Sequence, residues 1–203
     1  IDHKYGGFLG ERDFYNMQVP EAPKGIILNS RILWSFSAAS NHLQTNEYKA
    51  LCDRSFQYLQ QYFRDEKYGG VYWELDYQGR PVNLRKQVYA QAFMIYALSE
   101  YYIFSKNPLA LQWALEIYGF IEKYANDLKF GGYTESFARD WSNIDDMRLS
   151  EKDANEAKTM NTHLHVLEAY TNLYRVHREK ALENQLRFLI EKFLNTFYDN
   201  KSK

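Results

Sequence analysis

Cysteine is almost missing from this sequence: Cys52 is the single one in 203 residues, so a disulfide framework within the chain is excluded. A lone thiol between Leu51 and Asp53, at a helical-looking position, reads as a small buried apolar group. Long apolar runs are missing too, and no stretch approaches the roughly 20 residues that a membrane-spanning helix needs. An excess of one charge is the third absence. The 25 Lys and Arg face 26 Asp and Glu, for a net charge of −1 and no run of like charge. No nucleic-acid partner and no acidic-membrane partner is therefore expected. The N-terminus, Ile1-Asp2-His3-Lys4-Tyr5-Gly6-Gly7, has neither an initiator Met nor a signal-peptide pattern, from which we expect a chain that has been cut.

Aromatic residues are what the sequence has in quantity: 17% overall, with 18 Tyr and 4 Trp. Flat rings with a polar edge suit the C–H faces of sugars, and they equally pad a helical core. Both readings stay open on composition alone. The length leaves room for one domain, residues 1–203, with a sizeable core.

An internal repeat organises the chain. Tyr5-Gly6-Gly7 returns as Tyr68-Gly69-Gly70 and as Phe130-Gly131-Gly132, at separations of 63 and 62 residues. Each copy follows a polar lead and precedes an aromatic stretch with an acid, Glu11, Glu74 or Glu135. A period of about 62 residues means repeated supersecondary units. Apolar spacing predicts a first helix in each unit at about 25–43, 84–104 and 160–177. A second follows at about 46–63, 108–124 and 179–197, after breaks such as Thr45-Asn46 and Asn107-Pro108. The fold class expected is all-α: three αα-hairpins forming a half toroid, first helices inside, with β-touched loops at one end. The third loop, 131–159, is long and polar, as rims and lids are.

The stretch from Met160 to Arg175 shows what such a helix faces. At 100° per residue, Val166, Leu167, Tyr170, Leu173 and Tyr174 form an apolar stripe, while Asn161, His165, Glu168 and Asn172 line the other side. That polar line is either a solvated outer face or one wall of a site. His163 projects toward the apolar side and reads as a packed core histidine. Arg31 is placed near the start of the first inner helix, with small Ser35 and Ala38 following it. It is either a surface charge or an anion clamp. Tyr89 lies near the start of the second inner helix, and Asn161 and His165 near that of the third. Groups able to hold a hydroxyl or an oxyanion thus recur at equivalent helix ends, and we expect Arg31, Tyr89, Asn161 and His165 to meet in one pocket-sized region.

Several strings then resemble a known family. Lys24-Gly25-Ile26-Ile27-Leu28-Asn29-Ser30-Arg31, Lys86-Gln87-Val88-Tyr89-Ala90-Gln91-Ala92-Phe93, Met160-Asn161-Thr162-His163-Leu164-His165 and Leu149-Ser150-Glu151-Lys152-Asp153, with the aromatic–Gly–Gly loops, resemble the cellobiose 2-epimerases of the wider N-acylglucosamine 2-epimerase family. The resemblance runs from end to end. It implies an (α/α)6 barrel and interconversion of glucose and mannose at the reducing end of a β-1,4 disaccharide such as cellobiose or lactose. It implies no metal and no other cofactor, a cytoplasmic location, and a monomer for the intact enzyme. Arg31 and His165 would be catalytic, and Arg31, Tyr89, Asn161 and His165 substrate-binding. The chain departs from the family in extent: it holds about three hairpins where the barrel needs six. The family's two proton-transferring histidines belong to motifs that do not occur here, and His3, His42 and His177 do not replace them by context. Ile1 falls inside the family's first loop and Lys203 where a fourth hairpin should begin, so the N-terminal half of a barrel is expected.

The chemistry can be weighed without the family. Epimerisation beside a carbonyl removes a C–H proton and returns it to the other face. A base that titrates near neutrality suits the first step, and fixed donors suit the enediolate oxygen. Arg31 and His165 supply the clamp and one such group, and a second is missing. An N-acylglucosamine 2-epimerase or aldose–ketose isomerase remains open, and so does a non-catalytic carbohydrate-binding half-barrel. A glycosidase would need paired carboxylates; Glu11, Glu74 and Glu135 repeat with the loop, which favours a structural role.

Overall fold

The computed structural model describes residues 1–198; the expected start of a fourth hairpin at Lys203 lies outside them. Three helical hairpins follow one another. They are α1 (Ile26–Leu43) with α2 (Lys49–Tyr58), α3 (Val88–Ser105) with α4 (Pro108–Phe120), and α5 (Met160–Tyr174) with α6 (Lys180–Lys192). These are the six helices the periodicity predicts, with starts displaced by at most four residues. Local signals explain their ends. Pro108 occupies the first turn of α4, behind an Asn107 cap that accepts from Leu109 N–H at 3.1 Å. Thr159 caps α5 by accepting from Thr162 N–H at 3.2 Å. Each second helix ends in a widened i→i+5 turn, at Leu59–Phe63, Ile121–Ala125 and Phe193–Phe197. That turn delivers the chain to an extended residue, Arg64, Asn126 or Tyr198.

The first helices are the inner ones. α3 packs between α1 and α5, and each second helix packs on the first helix of its own hairpin. With neighbours on three sides α3 buries residues all round, from Val88 and Ala92 to Leu98 and Tyr101. α6, at the end of the row, buries only Leu182 and Leu189. The core between the two layers holds Leu33, Phe63, Ile95, Trp113, Tyr133 and Tyr170, among others. Each such apolar side chain contributes about 1.5–3 kcal/mol by leaving water. Tyr133 and Tyr170 carry hydroxyls inward and donate both to Glu122, at 2.8 and 2.6 Å. No described helix is long and apolar enough to cross a membrane.

At the end where the inner helices start, short strands tie each hairpin to the next loop. β1 (Lys24–Gly25) pairs antiparallel with β2 (Glu74–Leu75), which pairs with β3 (Pro81–Asn83); β4 (Lys86–Gln87) pairs with β5 (Ser136–Phe137). Lys24, Lys86 and Lys158 stand just before the caps of the three inner helices. Each reaches the aspartate that opens the preceding aromatic–Gly–Gly loop: Lys24 to Asp2 at 2.7 Å, Lys86 to Asp65 at 2.9 Å, and Lys158 to Asp127. The same aspartates accept backbone N–H groups two and three residues on, such as Lys67 and Tyr68 from Asp65. Asp65 is the most enclosed, and Arg139 from the long third loop adds a second cation at 2.9 Å. Burial pushes its carboxyl up, but the bonds from Arg139 and Lys86 outweigh that and hold it well below the usual carboxylate range.

The glycines of the loops approach inner-helix side chains closely. Gly70 and Gly132 have φ of +69° and +86°, and a Cβ on Gly132 would stand 2.5 Å from His163 Nε2. The fourth residue of α3, Gln91, grips Val71 of its loop through both N–H and C=O, at 2.9 and 3.0 Å. The fourth residue of α5, His163, accepts from Tyr133 N–H at 2.9 Å and donates to the Thr159 carbonyl at 2.6 Å. His163 is thus the core histidine expected, and burial pushes its pKa down.

Two outcomes follow from these contacts. Gly132→Ala should cost at least about 1–3 kcal/mol in urea unfolding, from the positive φ alone. Gly119→Ala, on the exposed face of α4 with nothing within 4 Å, should instead stabilise by about 0.5–1 kcal/mol. Because the folded Asp65 pKa is depressed, its contribution is complete above the ordinary carboxylate value near ~4 and is lost as pH falls below it. Asp65→Asn should therefore lower stability at neutral pH by about 3–5 kcal/mol and flatten the acid limb of a Tm-against-pH curve. An unchanged acid limb would show that this pair does not set it.

Candidate active site

Because the three inner helices start at one level, residues of equal rank lie at equal height. The sixth residues are Arg31, Phe93 and His165, and the ninth are Trp34, Tyr96 and Glu168. All six line one recess of about 290 Å³ between α1, α3 and α5. Two helical periodicities meet here, since ranks four and six differ by about 200° and point to opposite sides. Gln91 and His163 turn back to the loops, while rank six faces the recess.

The Arg31 guanidinium lies over the Phe93 ring, 4.7 Å from its centroid. His165 packs against the same ring at 4.6 Å and meets Tyr89 edge-on at 4.8 Å. Trp34 stacks on Tyr96 at 5.0 Å, nearly parallel, one helical turn further along. Among the described residues Arg31 has no hydrogen-bond or ion-pair partner, so its donors are unspent. His165 Nδ1 is bonded to Glu168 Oε2 at 2.6 Å. Burial pushes the Tyr89 phenol up, with Arg31 opposing and Glu168 adding to it. Burial does the same to Tyr96, with Glu168 the first of the charges that add to it.

Three of the four expected residues are therefore brought together: Arg31 and His165 in the recess and Tyr89 against the histidine. Asn161 is not in that group. It lines a second recess of about 190 Å³ under the long loop, with Glu135, Arg148, Leu149 and Asp153 among its neighbours. The equivalence drawn from sequence also shifts. Tyr89 has the rank of Asn161, the second residue of its helix, and Phe93 is the true counterpart of Arg31. The sequence reading misses Trp34, Phe93 and Tyr96 as lining residues; the signal is common rank, Phe93 with Arg31 and His165, and Trp34 and Tyr96 with Glu168. Asn172, placed on the polar face, is buried and donates to the Tyr96 carbonyl at 2.9 Å. Glu135 is structural: it accepts from Thr159 N–H at 2.7 Å and from Thr162 Oγ1 at 2.6 Å, closing the start of α5.

A more voluminous recess, about 360 Å³, lies on the rim near Arg64, Phe120 and Trp141. Its acids are spent internally: Asp65 on Lys86 and Arg139, Glu116 and Glu66 on Arg64, Asp140 on Ser142. Among the described residues no group of three or more His, Cys, Asp or Glu side chains comes together as a metal site. Among the described residues, the α1–α3–α5 recess offers an unspent guanidinium, a histidine and aromatic walls together. It is equipped to bind a polar, ring-shaped molecule and to stabilise a developing oxyanion.

Known proteins resemble this chain in sequence and in fold. Residues 7–203 match the family model of N-acylglucosamine 2-epimerase (GlcNAc 2-epimerase). A cellobiose 2-epimerase of Bacteroides fragilis is 48% identical over 98% of this chain, and one of Dictyoglomus turgidum 39% over 99%. The chain spans about half the length of these relatives, 51% in each case. The solved structure of cellobiose 2-epimerase from Bacillus thermoamylovorans B4167 superposes with a TM-score of 0.94 at 41% identity, covering 99% of this chain and 52% of that one. Repeat, recess and sequence lead to one conclusion: the chain belongs to the N-acylglucosamine 2-epimerase family.

Proposed function

We propose that the whole protein interconverts glucose and mannose at the reducing end of a β-1,4 disaccharide, cellobiose or lactose, by proton transfer at C2 through an enediolate. The observation that carries this reading is the meeting of Arg31 and His165, from the first and third inner helices, in one aromatic-walled recess. The relatives named cellobiose 2-epimerase, matched over nearly all of this chain, support the choice of sugar. In the same reading residues 1–203 are one domain, the N-terminal half of an (α/α)6 barrel. A cytoplasmic, monomeric intact enzyme belongs to it as well, checked by fractionation and by light scattering.

The roles follow from the chemistry. With the ring opened, the C2 proton lies beside the C1 carbonyl, and its removal leaves charge shared between C2 and O1, with the O2 hydroxyl alongside. The Arg31 guanidinium offers planar paired donors for those oxygens, with no competing partner to displace among the described residues. His165 exchanges a proton with a sugar hydroxyl or ring oxygen, as opening and closure require. Tyr89 positions His165 through its ring edge and in this reading adds its hydroxyl to sugar binding. Asn161, on the adjoining recess under the rim loop, binds the part of the sugar that extends toward the loops. Removal of the C2 proton and its return to the opposite face need acid–base groups beyond His165, which this reading assigns to the other half of the barrel.

The decisive assay follows deuterium entry at C2 by NMR in D₂O, with cellobiose, lactose and N-acetylglucosamine compared in parallel. The full-length enzyme should exchange and epimerise the disaccharides. Arg31→Lys should reduce kcat/KM by about 10²–10³-fold, since an ammonium cannot reproduce the paired planar donors. The 203-residue chain alone should not turn over, because open solvent weakens the charge stabilisation and the groups that move the C2 proton are missing. Sugar binding to the full-length enzyme without any exchange would favour the non-catalytic carbohydrate-binding reading. Turnover of N-acetylglucosamine alone would move the assignment to the N-acylglucosamine 2-epimerase activity.

A further inference from the structure

The recess contains one carboxylate, that of Glu168, and nothing in the mechanism so far uses it. Glu168 follows His165 by three residues on α5, so one helical turn sets the two side chains side by side. Its Oε2 lies 2.6 Å from His165 Nδ1, short enough to require a proton between them. A carboxylate accepts and does not donate, so that proton belongs to Nδ1. The second ring nitrogen, Nε2, is then the one left to exchange a proton with a ligand. Phe93 and Tyr89, neighbours one turn apart on α3, pack together against the imidazole but give neither nitrogen a hydrogen bond, which leaves Glu168 to decide which nitrogen is which.

The pair is i,i+3 with the Glu168 side chain 44% exposed, and such pairs contribute little to stability. Two observations give Glu168 a part other than stability. It lines the recess that holds Arg31 and His165, and its charge is felt by both Tyr89 and Tyr96 across the space. Its rank also matters. The ninth residues of α1 and α3 are Trp34 and Tyr96, stacked rings, and only in α5, where rank six is a histidine, is rank nine an acid.

We propose that Glu168 is a positioning residue: it fixes the proton of His165 on Nδ1 and presents Nε2 to the sugar. This rests on the reading of the recess as an epimerase site, and it adds a part to it. When Nε2 takes a proton from the substrate, the ring becomes imidazolium, and the carboxylate beside Nδ1 remains ionised and offsets the new charge. When Nε2 returns the proton, the neutral ring recovers the same tautomer with no rearrangement.

The test is two-bond ¹H–¹⁵N spectroscopy of histidine-labelled protein, wild type against Glu168→Ala, Glu168→Gln and Glu168→Asp, with kinetics on whichever sugar is turned over. Wild-type His165 should carry its proton on Nδ1, and Glu168→Ala should move it to Nε2. In the full-length enzyme Glu168→Gln should lower kcat by at least roughly tenfold with KM little changed, the scale of loss seen when a ring-orienting partner is removed. Glu168→Asp should recover part of that loss. A wild-type ring protonated on Nε2, or a tautomer unaffected by Glu168→Ala, overturns the proposal. The tautomer is read without substrate. Absence of turnover on every sugar therefore sinks the epimerase reading alone, and turnover with an unmoved tautomer sinks this assignment alone.

Discussion

Everything on the concave side depends on a contact made behind it, the lysine–aspartate pair that locks each loop to the start of the next inner helix. Two ions leave water at Lys86 and Asp65, both side chains fully buried, and the desolvation of each costs several kcal/mol. What offsets this is a saturated carboxylate. Asp65 receives Lys86, two bonds from Arg139, and the N–H groups of Lys67 and Tyr68. Such a pair is weak evidence of stability and better evidence of register. It sets which residue begins the helix, and a shift of one residue there would rotate every later side chain by about 100°.

With helix starts pinned, the inner surface becomes a set of layers that vary independently of the scaffold. Rank four remains polar and buried, as Asn29, Gln91 and His163; Gln91 and His163 hold the loops, while Asn29 donates to the Gly25 carbonyl at its own helix start. Rank six carries Arg31, Phe93 and His165, a cation, a ring and a proton carrier, at one height. One backbone geometry therefore presents three chemistries, which is how a repeated fold comes to host a site that is not itself repeated. The two histidines of α5 make the point at close range. His163 and His165 are two residues apart, and one is spent on Thr159 and Tyr133 while the other opens to the recess.

Much of this was legible beforehand. The aromatic–Gly–Gly period and the apolar spacing located six helices, and the twofold character of α5 separated His163 from His165. The site was read less completely, and the reason is local. Residues 84–87, Leu-Arg-Lys-Gln, are acceptable helix formers, so the second inner helix was expected to start at 84. In fact Lys86 and Gln87 pair with Phe137 and Ser136, and Arg85 bonds to the carbonyls of Asp146 and Arg148. Tertiary pairing overrides propensity there, the start moves four residues on, and Phe93 takes the place that Tyr89 had been given. The lysines at 24, 86 and 158 were equally visible as letters, but their meaning lies in aspartates 22, 21 and 31 residues earlier, a relation no local pattern carries.

The long third loop does more than border a recess. Arg139 crosses back to Asp65 and Tyr72, Trp141 Nε1 donates to the Tyr68 carbonyl, and Arg85 and Gln87 both hold the carbonyl of Arg148. A stack of hairpins touching only through adjacent helices can melt one unit at a time, from either end. Here the second and third hairpins are laced through a segment belonging to one and anchored in the buried charges of the other. Opening the third hairpin strips Asp65 of a cation and uncovers Trp141's bed in the same event. The two hairpins should accordingly open as one cooperative unit in native-state hydrogen exchange, and the first is joined to the second through β1–β2, the Asn41–Glu100 and Asp53–Tyr101 bonds and the Trp34–Tyr96 stack.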